Sequence, residues 1–245
     1  MRNKMEYLEY LLWGYFILNP LYIYLSYEQE KQSVIANPDM RVVMYRTWML
    51  HLWLPVMLLM VIINQTAISL NDIGLHWHWD LANQLGVGGL IVICGYFLFS
   101  LKQLNKNTHE HPTIRKQIAY VQWMTPSNCK EARYFILGLS VSAGICEEIL
   151  FRGYLMQVLG DYFPTYGVVI ISSLMFGLPH IYQGPIHILR TAIVGATMAL
   201  LYLYTDSLVI PIILHAMFDM YGGAMAYIVF SKEPQQLLED TPETT

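Results

Sequence analysis

Glu147, Glu148, Arg152, His180, His215 and Asp219 are ionisable residues embedded in otherwise apolar sequence. On insertion scales, a charged group at the centre of a membrane helix costs roughly 2.5–3.5 kcal/mol. The other acids mostly avoid that cost by lying in polar connections or tails. Only His51 stands similarly deep in the first part of the chain. The six groups therefore point to one site in the C-terminal half, with the earlier helices as scaffold or gate.

Helical spacing divides their work. In Gly144-Ile-Cys-Glu147-Glu148-Ile-Leu-Phe-Arg152-Gly153, Glu148 and Arg152 are four apart, share a face and can pair. Pairing lowers the cost of burying both charges. Glu147 lies about 100° around the helix with no local cation, and desolvation is how a glutamate is tuned for general acid or base work near neutral pH. The competing reading makes both glutamates structural, bridged by Arg152. Phe176-Gly-Leu-Pro-His180 ends an apolar run, and Pro179 leaves His180 at a helix end from which it can face a cavity. A lone histidine on an apolar face is often only a packed core residue. The company of the other polar groups argues against that here. His215 and Asp219, at i and i+4, share a face, so Asp219 can fix the tautomer of His215 or act beside it. A helix-packing hydrogen bond is the plainer alternative.

Two chemistries suit these groups. His180, His215, Glu147 and Asp219 are zinc-ligand types, and two histidines with one or two carboxylates leave a position for water. HExxH is absent, however, and the ligands would come from three helices. The same residues could work without metal: Glu147 with His180 activating water, His215 and Asp219 stabilising an oxyanion. Both remain open at this level. No GxSxG, Ser/His dyad, GxGD, P-loop or GxGxxG pattern offers another mechanism, and Gly86-Val-Gly-Gly89 lies in an apolar span and suits close helix packing.

The elements that must hold these side chains are helices in a bilayer. The chain has 245 residues, of which 55% are hydrophobic and 13% charged. Soluble domains carry about 25% charged residues. Mean hydropathy is +0.38. Apolar runs of spanning length occur at 7–27, 44–70, 85–104, 134–159, 166–180, 186–204 and 208–230. The expected fold is an all-α polytopic transmembrane bundle of about seven spans (six to eight). Pro55 and His51 interrupt the second run, which a spanning helix tolerates. Tyr22, Tyr24, Tyr27, Trp77 and Trp79 gather near run ends, as in an interfacial aromatic belt. Three parts are expected: N-terminal helices and a basic loop over 1–130, a catalytic core over 131–231, and a polar tail over 232–245.

Charge sets the expected orientation. Lys31 and Arg41 lie in the 28–43 connection. Lys106, Arg115, Lys116, Lys130 and Arg133 lie in 105–133. The 71–84 connection has no Lys or Arg. Positive residues stay cytoplasmic, so the two basic connections and the tail face inside. The N-terminus then lies outside despite Arg2 and Lys4, and the apolar run behind them reads as a retained helix. The net charge of −4 and the lack of a basic helix face argue against nucleic acid. Cys94, Cys129 and Cys146 are odd in number with no CxxC, which argues against disulfides and a cysteine zinc site. Cys146 reads as a small buried apolar residue, and His187 as a spare group near the site or an interfacial one.

Glu147-Glu148-x-x-x-Arg152, Phe176-x-x-x-His180 and His215-x-x-x-Asp219, in that order, resemble the three motifs of the CAAX protease and bacteriocin-processing family of intramembrane endopeptidases, which includes the Rce1-like prenyl-protein proteases and abortive-infection proteins. Gly195 through Leu203 and Thr205-Asp-Ser-Leu-Val-Ile-Pro211 fit the same resemblance, which covers roughly 130–230. The resemblance implies an enzyme, a membrane-embedded glutamate- or metallo-endopeptidase. Glu147 and His180 would activate water, His215 and Asp219 would stabilise the oxyanion or bind Zn2+, and Glu148 and Arg152 would support the site. Position 219 is often Asn in that family. An ionised Asp cannot donate to an oxyanion, so Asp219 favours orienting His215 or ligating metal. The implied partners are the lipid bilayer and a membrane-associated or lipid-modified peptide or protein, in a bacterial plasma membrane. A non-proteolytic immunity or peptide-binding factor using the same cavity is the alternative. A small transporter would need two related halves, which the sequence lacks.

Overall fold

The computed structural model describes residues 2–66 and 68–231. The expected polar tail over 232–245 and the side chains of Arg2 and Lys4 lie outside the described residues. Seven long helices follow one another: α1 (Arg2–Ala36), α2 (Met40–Gln65), α3 (Leu81–Lys106), α4 (Cys129–Gly160), α5 (Thr165–Gln183), α6 (Pro185–Thr205) and α7 (Val209–Phe230). No strand occurs among the described residues. Each of the seven apolar runs falls mainly in one of these helices, though α2 ends at Gln65, short of the expected 44–70, and α7 begins at Val209. Six of them, α2 to α7, are long and apolar enough to cross a membrane. α1 falls outside that set, yet Leu11, Ile17, Leu18, Leu21 and Leu25 stand exposed on it. The chain is a polytopic helical bundle whose outer side chains are apolar, as a bilayer solvent requires.

Local chemistry sets the helix ends. Asp80 accepts from the Asn83 amide at 2.9 Å and caps α3; Asn128 accepts from the Glu131 amide at 3.0 Å and caps α4. Between α5 and α6, Gly184 takes φ 104°, a left-handed value that suits glycine, and Pro185 opens the next helix. Pro55 sits inside an unbroken α2. α5 tightens into a 3-10 turn over Leu178–Gln183. α4 carries two π-helical stretches, Tyr134–Leu139 and Ile149–Leu155, on either side of the two glutamates. Such stretches rotate the face that follows them, and they recur at functional sites.

The two basic connections meet at one end of the bundle. Arg41, at the start of α2, donates to Trp123 O at 2.9 Å, Ser127 Oγ at 2.9 Å and Glu131 at 2.7 Å. At the other end Ser207 donates to His76 O, Asn83 to Thr205 O, and the Leu208 amide to Gly74 O. Simple alternation of the helices therefore holds. The Leu178–Gln183 turn belongs to the basic end, where α1 packs against it.

Close approach fixes the helix pairs that carry the motifs. A Cβ at Gly144 would meet Ala216 N at 2.8 Å and Ile212 O at 2.9 Å, so α4 and α7 touch backbone to backbone. In α3 only Gly86 is tight, 3.0 Å from Ile210, while Gly88 and Gly89 meet nothing within 4 Å. The expected glycine packing face thus reduces to one residue.

Candidate active site

α4 brings Glu147, Glu148 and Arg152; α5 brings Phe176 and His180; α7 brings His215 and Asp219. Arg152 and Glu148 are fully buried and paired, Nη1 to Oε1 at 2.9 Å. The guanidinium also donates from Nη2 to Gly195 O at 2.9 Å and lies 4.2 Å over the Phe176 ring. Gly195 is needed at that spot in α6: a Cβ there would stand 3.1 Å from Nη2 and 3.0 Å from Phe176. Sequence reading paired Glu148 with Arg152 but missed Gly195 as a partner. Its one signal was a glycine inside an apolar helix.

His215 decides how the motifs interlock. Its Nδ1 lies 2.7 Å from Glu148 Oε1. Its Nε2 stands 3.8 Å from Glu147 and 3.7 Å from Asp219. Of the two expected roles for Asp219, fixing the tautomer of His215 or acting beside it, the geometry gives the first place to Glu148 and leaves Asp219 beside Nε2. The reason is reach: Asp219 is on the same helix one turn on and meets the far nitrogen, whereas Glu148 comes from α4 against the near one. With the Nδ1 proton held by Glu148, neutral His215 presents an Nε2 lone pair to the cavity, and the imidazolium presents a proton there. Glu148 is thus more than a brace for α4.

Glu147, His180 and Asp219 face a cavity of about 330 Å3. His180 Nδ1 is a buried nitrogen with no partner among the described residues. Phe176 packs edge-on to His215 at 5.7 Å and lies 6.2 Å from His180, so it neighbours both imidazoles. Further stretches of α4 line it too, and the rest of the wall comes from α1, α2 and the basic end, with Tyr15, Tyr27, His51, Trp123 and Tyr182 among them. Sequence reading noted the depth of His51 without assigning it here. Tyr27, expected in the interfacial belt, instead packs on Trp123 at 5.5 Å and Tyr182 at 5.1 Å. His187 does not line the cavity. It pairs with Tyr120, ring to ring at 4.7 Å. Cys146 is fully buried and Cys94 and Cys129 are exposed, all three free thiols.

Residues 130–221 match the family described as type II CAAX prenyl endopeptidase Rce1-like. That stretch is similar to the Rce1-like family. It contains all three motifs and ends two residues past Asp219. With six apolar helices, the Rce1-like match fits a multi-pass membrane protease acting on a membrane-associated substrate. No curated protein and no solved structure matches the chain. The cavity wall supplied by α1 and α2 lies outside the Rce1-like stretch.

The expected zinc set was tested against the donors. Among the described residues no group of three or more His, Cys, Asp or Glu side chains is placed to hold a metal ion. The residues in this arrangement do not fit a zinc centre.

Proposed function

We propose that the protein is an intramembrane endopeptidase that hydrolyses a peptide bond in a membrane-associated or lipid-modified substrate, using water activated by Glu147 and His180. The observation that carries this reading is the shared cavity: Glu147, His180 and Asp219 line one apolar-walled space, and His215 Nε2 stands 3.8 Å from Glu147 and 3.7 Å from Asp219.

In this mechanism Glu147 takes a proton from water held against His180, and the water oxygen attacks the carbonyl carbon. The negative charge that develops on the carbonyl oxygen is met by a proton on His215 Nε2. Glu148 and Arg152 hold His215 in place from the buried side. Asp219, across Nε2 from Glu147, orients the imidazolium when it forms. Glu147 then returns its proton to the departing amine. No step passes through a metal. Confinement in the bilayer excludes bulk water and strengthens each charge interaction. We further propose residence in a bacterial plasma membrane.

Purified protein in detergent, offered membrane-peptide libraries, tests the reading. Glu147→Gln and His180→Ala are each expected to lower cleavage by about 10²–10⁴-fold, the usual contribution of a positioned acid or base, while folding and insertion persist. Full cleavage by either variant overturns the mechanism. A biological function that survives Glu147→Gln instead points to the binding factor.

A further inference from the structure

The cavity continues well past the motif residues, along α1. Both Tyr15 and Glu30 line it. At 1.5 Å per residue they stand about 22 Å apart along the helix. An extended peptide covers that distance in about six or seven residues at roughly 3.3 Å each, of which the cavity itself encloses only part. The Glu30 end is the basic end of the bundle, where Trp48, Trp123 and Gln183 form the rim.

The charge of this channel is one-sided. Three carboxylates line it, Glu30, Glu147 and Asp219, and none of the described lining residues is Lys or Arg. Two nearby arginines are engaged elsewhere, Arg152 with Glu148 and Gly195 and Arg41 with Glu131 and Trp123, while Lys31 lies outside the lining, 3.9 Å from Glu28 and 5.8 Å from the Tyr27 ring. Glu30 is half-buried. Trp48 Nε1 donates to its Oε2 at 3.1 Å, and Oε1 is left for a donor from the cavity. A carboxylate so placed gains most by meeting a cation away from bulk water.

Resting on the endopeptidase reading, we infer that Glu30 is a specificity-determining residue that binds a basic side chain of the substrate, a few residues from the scissile bond, on the side of the basic connections.

Binding of capped probes tests this apart from cleavage. Eight-residue Leu/Ala peptides, acetylated and amidated, carry one Lys at successive positions, or norleucine or Glu in its place. Affinities are measured for the wild type and for Glu30→Gln, which keeps an acceptor for Trp48. At the best position Lys is expected to bind about tenfold more tightly than norleucine, and Glu more weakly than either. In Glu30→Gln the Lys preference collapses to about one, with norleucine affinity unchanged. A Lys peptide bearing a photo-reactive neighbour should label α1 around Glu30, and this arm needs no variant. Equal affinities for Lys and norleucine, absence of binding, labelling that misses α1, or a Lys preference that survives Glu30→Gln overturns the inference. Cleavage without charge preference removes the inference alone. Charge-selective binding without cleavage removes the endopeptidase reading alone.

Discussion

Arg152 and Glu148 form a fully buried ion pair, and removing one partner strands the other without water. Arg152→Met is expected to lower stability by about 3–5 kcal/mol, read as a fall in the thermal unfolding midpoint in detergent. Adding Glu148→Gln to it should restore most of that loss, because no unpaired charge is left and the two positions couple directly. Cleavage should stay low in the double variant, since His215 Nδ1 then lacks its carboxylate. Recovery of cleavage along with stability would show that Glu148 acts on the helix and not on the histidine. A second prediction at this scale concerns metal. Cleavage is expected to persist after chelation, and purified protein to carry no stoichiometric zinc. Loss of cleavage on chelation, restored by zinc, would overturn the metal-free mechanism.

The helix crossings carry their own predictions. At Gly144 an added methyl meets backbone atoms of α7 that cannot swing aside. Gly144→Ala should cost about 1–3 kcal/mol and lower cleavage, because it parts the helix of Glu147 and Glu148 from that of His215. Gly88→Ala, in open space on α3, should be neutral or stabilising by up to about 1 kcal/mol. Thermal unfolding of the two variants side by side separates a packing glycine from a tolerated one. Asp80 gives a pH signature for α3. The Asn83 backbone amide, helped by the Asn83 side chain, holds the Asp80 carboxyl below the usual carboxylate range. A lowered folded value means that the cap stabilises above the ordinary carboxylate pKa and fades as pH falls through the folded one. The stability gap between wild type and Asp80→Ala should therefore be present at neutral pH and shrink in acid below the usual range. A gap that widens on acidification contradicts this assignment.

At the scale of the whole molecule, the basic connections and the cavity rim share an end of the bundle. Positive residues stay on the cytoplasmic side, so substrate entry from that side is expected. In a cysteine-free background, His109→Cys should react with an impermeant maleimide only from the cytoplasmic face of sealed vesicles. Asp72→Cys, at the opposite end, should react only from the other. The reverse pattern would turn the bundle over and move the entry with it. The whole molecule also assigns work to the first helices. α1 and α2 wall the cavity, whereas α3 packs on α7 away from it.

The sequence by itself determined what local chemistry decides. Seven apolar runs became seven helices because length and hydropathy act within each segment. Glu148 and Arg152 paired because four residues make one helical turn. Rare ionisable groups in apolar runs marked the motif helices before any contact was known. Tertiary structure decided everything that needed two segments at once. Glu148 and His215 are 67 positions apart, and only the Gly144 crossing brings them together. Gly195 receives Arg152 because α6 passes close enough, which no pattern within α6 encodes. Tyr15, Glu30 and His51 entered the cavity wall through the packing of α1 and α2 against the motif helices, and helical period cannot tell a cavity face from a lipid face when both are apolar. Asp219 shows the boundary most clearly: spacing placed it beside His215, but the packing of α4 against α7 decided which nitrogen it would meet.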